Sequence, residues 1–257
     1  MNPRAAMCHD SDSSPPIPAI SGAAVSHDDL VLTAPDGNRL AAFAATPDEP
    51  SGAGIVILPD VRGLHRFYEE LALRFAERGH TAVAIDYFGR TAGAEKRDDA
   101  FEYMPHVQET TPEGVQADVA AGVASLREAG CDVVLTVGFC FGGRHSWLAS
   151  AAGHGLAGAI GFYGRPGEGQ DGSPGPTQRA ADFEAPILAL MGGADPGIPV
   201  EAVREFEAAL AEAGIDHEVV IYDGAPHSFF DRKHEEFADD SAHAWRRLLG
   251  FVEQYTR

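Results

Sequence analysis

Cys140 is the residue around which this sequence builds the most chemistry. It sits in Val137-Gly138-Phe139-Cys140-Phe141-Gly142-Gly143, with glycines two residues before and two after it. Where a strand turns sharply into a helix, backbone segments pass too close for side chains, and the middle residue is held exposed in strained geometry. The N-H groups and dipole at a helix start favour negative charge, which suits a sulfur nucleophile. The backbone N-H of Phe141 would then face a developing oxyanion. The competing reading is a glycine-rich packing turn around a small buried cysteine. Two later residues weigh against it. Asp195 follows the apolar run Ile187 to Met191, and His227 follows Val219 to Tyr222. A nucleophile, then an acid, then a histidine, each on the loop after a strand, is an order suited to acyl transfer. Singly, Asp195 before Pro196 reads as a turn and His227 as a loop residue; the order of all three points to chemistry.

The elements that must position these residues are written in the hydrophobic pattern. Short apolar runs at Gly54 to Leu58, Thr81 to Tyr87, Val133 to Phe139, Ala157 to Tyr163, Pro186 to Met191 and His217 to Tyr222 suit strands covered on both faces. Between them Phe67, Leu71 and Phe75, then Val203, Phe206 and Leu210, recur at helical spacing, and these stretches end at Gly79 and Gly214. Thr111-Pro112-Glu113 reads as a cap and first turn of a helix running to Gly130. Trp245, Leu248, Leu249, Val252 and Tyr255 form one stripe of a last helix. Asp28 to Thr33 and Leu40 to Thr46 flank a Pro-Asp-Gly turn and read as an opening hairpin. The expected fold is therefore α/β: three layers, a mostly parallel sheet with an N-terminal antiparallel hairpin, and helices on both faces. Two segments, Gly89 to Thr110 and Gly164 to Asp182, break the pattern and read as surface excursions.

Composition excludes several functions. Against 19 Lys and Arg the 257 residues carry 39 Asp and Glu, a net charge of −20, and such a chain repels nucleic acid and anionic membranes. No stretch is long and apolar enough to span a bilayer. Residues 1–24 read as a disordered leader and 25–257 as one domain. Three cysteines, Cys8, Cys131 and Cys140, are too few for a disulfide framework and point to a reducing, cytoplasmic setting. Neither cofactor nor metal is expected. Cys8-His9-Asp10 has no second cluster to complete a metal site. His145 reads as packing, Cys131 as a small hydrophobe, and His65, His80, His106 and His154 as isolated.

The motifs GFCFGG at 138–143, FYG at 162–164, GGADPGIP at 192–199 and YDGAPHSF at 222–229 resemble the dienelactone hydrolase family of α/β-hydrolases, a likeness covering most of residues 28–257. The resemblance implies Cys140 as nucleophile, His227 as base and then acid, and Asp195 as the group that orients the imidazole. It also implies an acidic residue after an early strand that holds the resting thiol away from the histidine. Asp60, in Leu58-Pro59-Asp60-Val61-Arg62-Gly63-Leu64, fills that place one methylene shorter than the family's usual Glu; a cap on the following helix is the other reading. Val61 would join Phe141 in the oxyanion hole. Of the two arginines that hold a substrate carboxylate in the family, Arg90 matches one, whereas the second position is Asp231. Arg62 and Arg144 are candidates to replace the missing charge, each with a solvated surface side chain as its alternative. The expectation is a hydrolase, monomer or homodimer, cleaving a small ester or lactone. A general carboxylesterase or thioesterase, or a non-catalytic redox-sensing scaffold, are the alternatives.

Overall fold

The computed structural model describes residues 14–23, 25–98, 100–169 and 172–257. Eight strands form one mixed sheet: β1 (Val25–Thr33), β2 (Arg39–Pro47), β3 (Ala53–Leu58), β4 (Thr81–Ile85), β5 (Val133–Phe139), β6 (Gly158–Phe162), β7 (Ile187–Gly192) and β8 (His217–Tyr222). Their spatial order is β1-β2-β4-β3-β5-β6-β7-β8. The hairpin β1-β2 joins β4 antiparallel, and every pairing from β4 to β8 is parallel. Parallel neighbours require crossovers, and these supply the helices α1 (Arg66–Ala76), α4 (Pro112–Glu128), α5 (Phe141–Ala149) and α6 (Val200–Glu212), with α7 (Ala238–Tyr255) closing the chain.

Alternate residues of each strand enter different layers. Ile55 and Ile57 of β3 join Phe67, Leu71 and Phe75 of α1 and Trp245 and Leu248 of α7, whereas Val56 and Leu58 join Val115, Val119 and Leu126 of α4. A third cluster sets Ile187, Ala189 and Met191 of β7 against Trp147 of α5 and Phe206 of α6. Because both faces are covered, the strands read as unbroken apolar runs rather than as alternation. Thr111 caps α4 as the sequence suggests, its Oγ1 accepting from the Gly114 N-H at 3.1 Å.

Three expectations change. The excursion 89–110 holds two short helices, α2 (Gly89–Ala92) and α3 (Tyr103–Glu109). The stretch read as leader is docked at its end: Ile17 is buried in the α1 and α7 layer, and the Ile20 N-H donates to Glu77 Oε2 at 3.0 Å. Residues 1–13, with Cys8-His9-Asp10, lie outside the described residues. The histidines read as isolated have partners: His80 meets Ser51 Oγ at 3.1 Å, His154 meets Gln116 Oε1 at 3.1 Å, His106 stacks on Phe101, and His65 contacts Arg62 and Asp60. Among the described residues no helix is long and apolar enough to cross a membrane.

Candidate active site

At the carboxyl end of β5 the chain turns through Cys140 into α5. Cys140 adopts φ 55° and ψ −112°, a conformation L-residues avoid, and caps the helix through its backbone alone. The flanking glycines permit this. A Cβ on Gly138 would land on the Gly142 carbonyl, and one on Gly142 would land on the carbonyl oxygens of Leu58 and Pro59. The second contact presses the first turn of α5 against the turn that follows β3, so Phe141 and Val61 stand on two abutting backbone turns. The Cys140 N-H donates to Phe162 O at 3.0 Å, tying the turn to the end of β6, and the cysteine remains partly exposed.

The loops after β7 and β8 are bonded to one another. Gly193 N-H donates to Tyr222 O at 2.8 Å and Ala194 N-H to Ala225 O at 2.9 Å. This register brings His227 Nδ1 to 2.6 Å from Asp195 Oδ2. The other Asp195 oxygen accepts from Gly197 N-H at 2.8 Å, which fixes the carboxylate plane. Asp195 is buried, whereas the His227 side chain is 31% exposed, so the imidazole is oriented from behind and accessible in front. Tyr163, the residue after β6, connects the two halves: its ring packs on His227 at 4.9 Å between centroids, one residue beyond the carbonyl that holds Cys140. A cysteine in a strained turn and an aspartate-oriented imidazole, both at the carboxyl end of one sheet, are the groups that nucleophilic acyl transfer uses.

Asp60 is fully buried below the turn after β3. Its Oδ1 accepts from Arg62 N-H at 2.8 Å, and its Oδ2 lies 3.9 Å from His65 Nε2. It does not cap α1; the cap residue is His65, with no side-chain bond. Burial lowers the His65 pKa, against the opposing pull of Asp60.

The description "Dienelactone hydrolase family" matches residues 40–256. The chain belongs to the dienelactone hydrolase family. A carboxymethylenebutenolidase of Rhodococcus opacus is 32% identical over 263 residues, covering 97% of each chain. A Klebsiella pneumoniae subsp. pneumoniae crystal structure named "Putative Dienelactone Hydrolase" superposes with TM-score 0.78 at 26% identity, covering 90% of this chain and 100% of that one. A metagenomic phosphotriesterase described as dienelactone hydrolase-like shares the fold at TM-score 0.74 and 19% identity, covering 91% and 99%. This family is one of hydrolases.

Within this dienelactone hydrolase family member the three candidate arginines are all engaged by the protein. Arg90 reaches Asp36 at 2.5 Å, Asp118 at 2.9 Å and Gly114 O at 3.0 Å. Those partners belong to the β1-β2 turn and α4, neither of which supplies Cys140, Asp195 or His227. Arg62 lies 3.1 Å from His65 Nε2 and 3.7 Å from Asp60. Arg144 donates to the carbonyl oxygens of Arg165, at 3.1 Å, and Gly167.

Sequence reasoning passed over several neighbours of the site. Asp231 is buried, accepting from Tyr163 OH at 2.8 Å and from the Arg232 N-H. Burial lifts its pKa well above the carboxylate range; the nearby Asp60 lifts it further and His227 draws it down. Tyr87 lies edge-on to Phe141 and donates to Pro59 O at 2.7 Å, holding the turn after β3. Burial, with Asp60, Asp86 and Cys140 nearby, raises its pKa. Asp86 accepts from Leu64 N-H and Phe88 N-H, each at 3.0 Å, and from Arg97 at 2.8 Å. The links of Leu64 to Asp86, Tyr87 to Pro59 and Tyr163 to Asp231 join residues 22 or more apart, and no local motif announces them. FYG at 162–164 was the one signal that could have drawn attention to Tyr163. His145 is the buried packing residue expected, its ring tilted against Phe141 at 4.4 Å between centroids and its pKa lowered to about 3 by desolvation.

Proposed function

We propose that this chain is a carboxylic ester hydrolase that opens an ester or lactone through a thioester on Cys140. The observation that carries the reading is the union of a strained, glycine-flanked cysteine at a helix start with an imidazole held at 2.6 Å by a buried aspartate. His227 takes the thiol proton as Cys140 Sγ bonds to the carbonyl carbon, and the carbonyl π pair becomes the oxyanion. Backbone N-H groups of Phe141 and Val61 stabilise that charge. When the tetrahedral species collapses, the C-O bond to the leaving alkoxide breaks and His227 returns the proton to it; in a lactone the freed hydroxyl stays tethered. Water, deprotonated by His227, then adds to the thioester and releases acid and thiol. Asp195 fixes the imidazole tautomer and stabilises the transient imidazolium. Asp60 takes the place of the acidic residue that, by the family resemblance, holds the resting thiol away from the histidine.

A thiolate leaves as readily as it attacks, so activated or conjugated esters are better substrates than amides. A panel of lactones, aryl esters and thioesters, run on wild type beside Cys140→Ala, tests the proposal. Cleavage of at least one oxygen ester by wild type and none by Cys140→Ala is expected. Cleavage that survives in Cys140→Ala, or activity on thioesters alone, would overturn it.

A further inference from the structure

The turn after β3 engages nearly all of its own backbone donors. Asp60 N-H donates to Tyr68 OH at 2.9 Å, Arg62 N-H to Asp60 Oδ1 at 2.8 Å, Gly63 N-H to Asp60 O at 3.1 Å and Leu64 N-H to Asp86 Oδ1 at 3.0 Å. Among the described residues, the Val61 N-H alone of this turn has no acceptor. The bond from Gly63 to Asp60 closes a β-turn in which Asp60 stands first, Val61 second and Gly63, at φ 78°, last. The second position is the one that proline, which has no N-H, favours. A donor left open there, on a turn pressed against the start of α5 at Gly142, suits an acceptor that arrives with substrate.

Such a donor helps only if its turn is held before the reaction begins. The far end of the turn is held by one side chain from another strand. Asp86, the residue after β4, is fully buried; its Oδ1 takes the Leu64 N-H, and its Oδ2 takes the Phe88 N-H at 3.0 Å and the Arg97 guanidinium at 2.8 Å. A Cβ on Gly63 would come within 2.3 Å of Asp86 Oδ1, so the carboxylate lies against the turn itself. A carboxylate at this depth is stable only when paired. Arg97 supplies the pair from the 89–110 excursion, where its side chain is 7% exposed and also donates to Ala92 O at 3.2 Å and Gly93 O at 2.6 Å.

We propose that Asp86 is the positioning residue of the oxyanion turn and that Arg97 locks it in place, so that the 89–110 excursion governs the rate of acyl transfer from outside the set Cys140, Asp195 and His227. The inference rests on the ester-cleaving role proposed for Cys140.

Three variants are compared with wild type on 4-nitrophenyl butyrate. Val61→Pro removes the open N-H at a position that suits proline, and kcat should fall about 10²-fold with KM changed by less than about twofold. Asp86→Asn and Arg97→Gln should each lower kcat at least about tenfold, again with KM changed by less than about twofold. Alkylation of Cys140 by iodoacetamide builds no oxyanion, so its rate should match wild type in all three. A general loosening of the site would instead slow alkylation and cleavage together, and that outcome overturns the proposal. So does an undiminished kcat in Val61→Pro, or in folded Asp86→Asn or Arg97→Gln.

Should neither Asp86→Asn nor Arg97→Gln fold, amide hydrogen exchange of the wild type decides. Corrected for intrinsic rates, the Leu64 N-H should exchange at least about tenfold more slowly than the Val61 N-H, and equal rates overturn the proposal. If wild type cleaves no ester, the ester-cleaving reading fails and the positioning role with it. If wild type cleaves the ester and the folded variants keep pace, the positioning role alone fails.

Discussion

The two ends of the sheet solve the same backbone problem with different residues. At the amino ends, the turns entering β3, β4, β5, β6 and β8 reach left-handed conformations with Gly52, Gly79, Gly130, Gly155 and Gly214. Glycine adopts those angles without strain. At the carboxyl ends, Cys140 after β5, Tyr163 after β6 and Ser228 after β8 adopt φ of 55°, 37° and 62°, and they are the only non-glycine residues with positive φ among those described. Strain tolerated at one end and avoided at the other marks where side-chain chemistry outweighed backbone ease. Both ends lie in the same sheet, so the difference is local and can be broken one residue at a time.

The largest effect is expected at the carboxyl end. Gly142→Ala drives a methyl group into the Leu58 and Pro59 carbonyls, backbone that cannot step aside, and should destabilise the chain by more than about 4 kcal/mol, read from the urea midpoint or the loss of soluble protein. Asp195→Asn keeps the shape of the loop but not the imidazole tautomer. If the proposed mechanism holds, it should lower kcat on an aryl ester about 10³-fold with an unchanged urea midpoint. Tyr163→Phe keeps the ring against His227 and removes the bond to Asp231, at a stability cost of about 1 to 3 kcal/mol. The mildest change belongs to the amino end. Gly130→Ala meets open space and bears only the left-handed penalty, about 1 kcal/mol, with ester cleavage unaffected.

The contrast extends to buried acids. Asp118, on α4, has Arg90 and Asn38 as partners, yet burial prevails over both and lifts its pKa from 3.8 to about 6. Because the folded state holds this proton more tightly, Asp118 contributes falling stability as pH rises from about 4 through about 6. Asp118→Asn should flatten that part of a stability-versus-pH curve, and an unchanged slope would show that the carboxyl is better solvated than its position implies. Asp231, closer to the candidate site, accepts from the Tyr163 phenol and the Arg232 backbone N-H, and burial raises its pKa in the same direction.

What was legible in the sequence was what is encoded locally. The strand runs, the Thr111 cap, the glycine-flanked turn at Cys140 and the loop positions of Asp195 and His227 depend on neighbours a few residues away. The links invisible there are those that only folding brings together. Arg90 looked available to a substrate because Asp36 and Asp118 are 54 and 28 residues distant, and Asp231 looked like a departure from a pattern until Tyr163, 68 residues away, gave it a partner. The docking of Ile17 was hidden for the same reason, since one apolar residue in a proline-rich stretch carries no period.

The central claim is that an acyl group passes through the sulfur of Cys140. Wild-type protein mixed with 4-nitrophenyl butyrate, quenched in acid within the first turnover and mapped by peptide mass spectrometry, should carry one butyryl group on the peptide containing Cys140. Sustained ester cleavage with that peptide unmodified, or with the acyl group on another residue, would contradict the account.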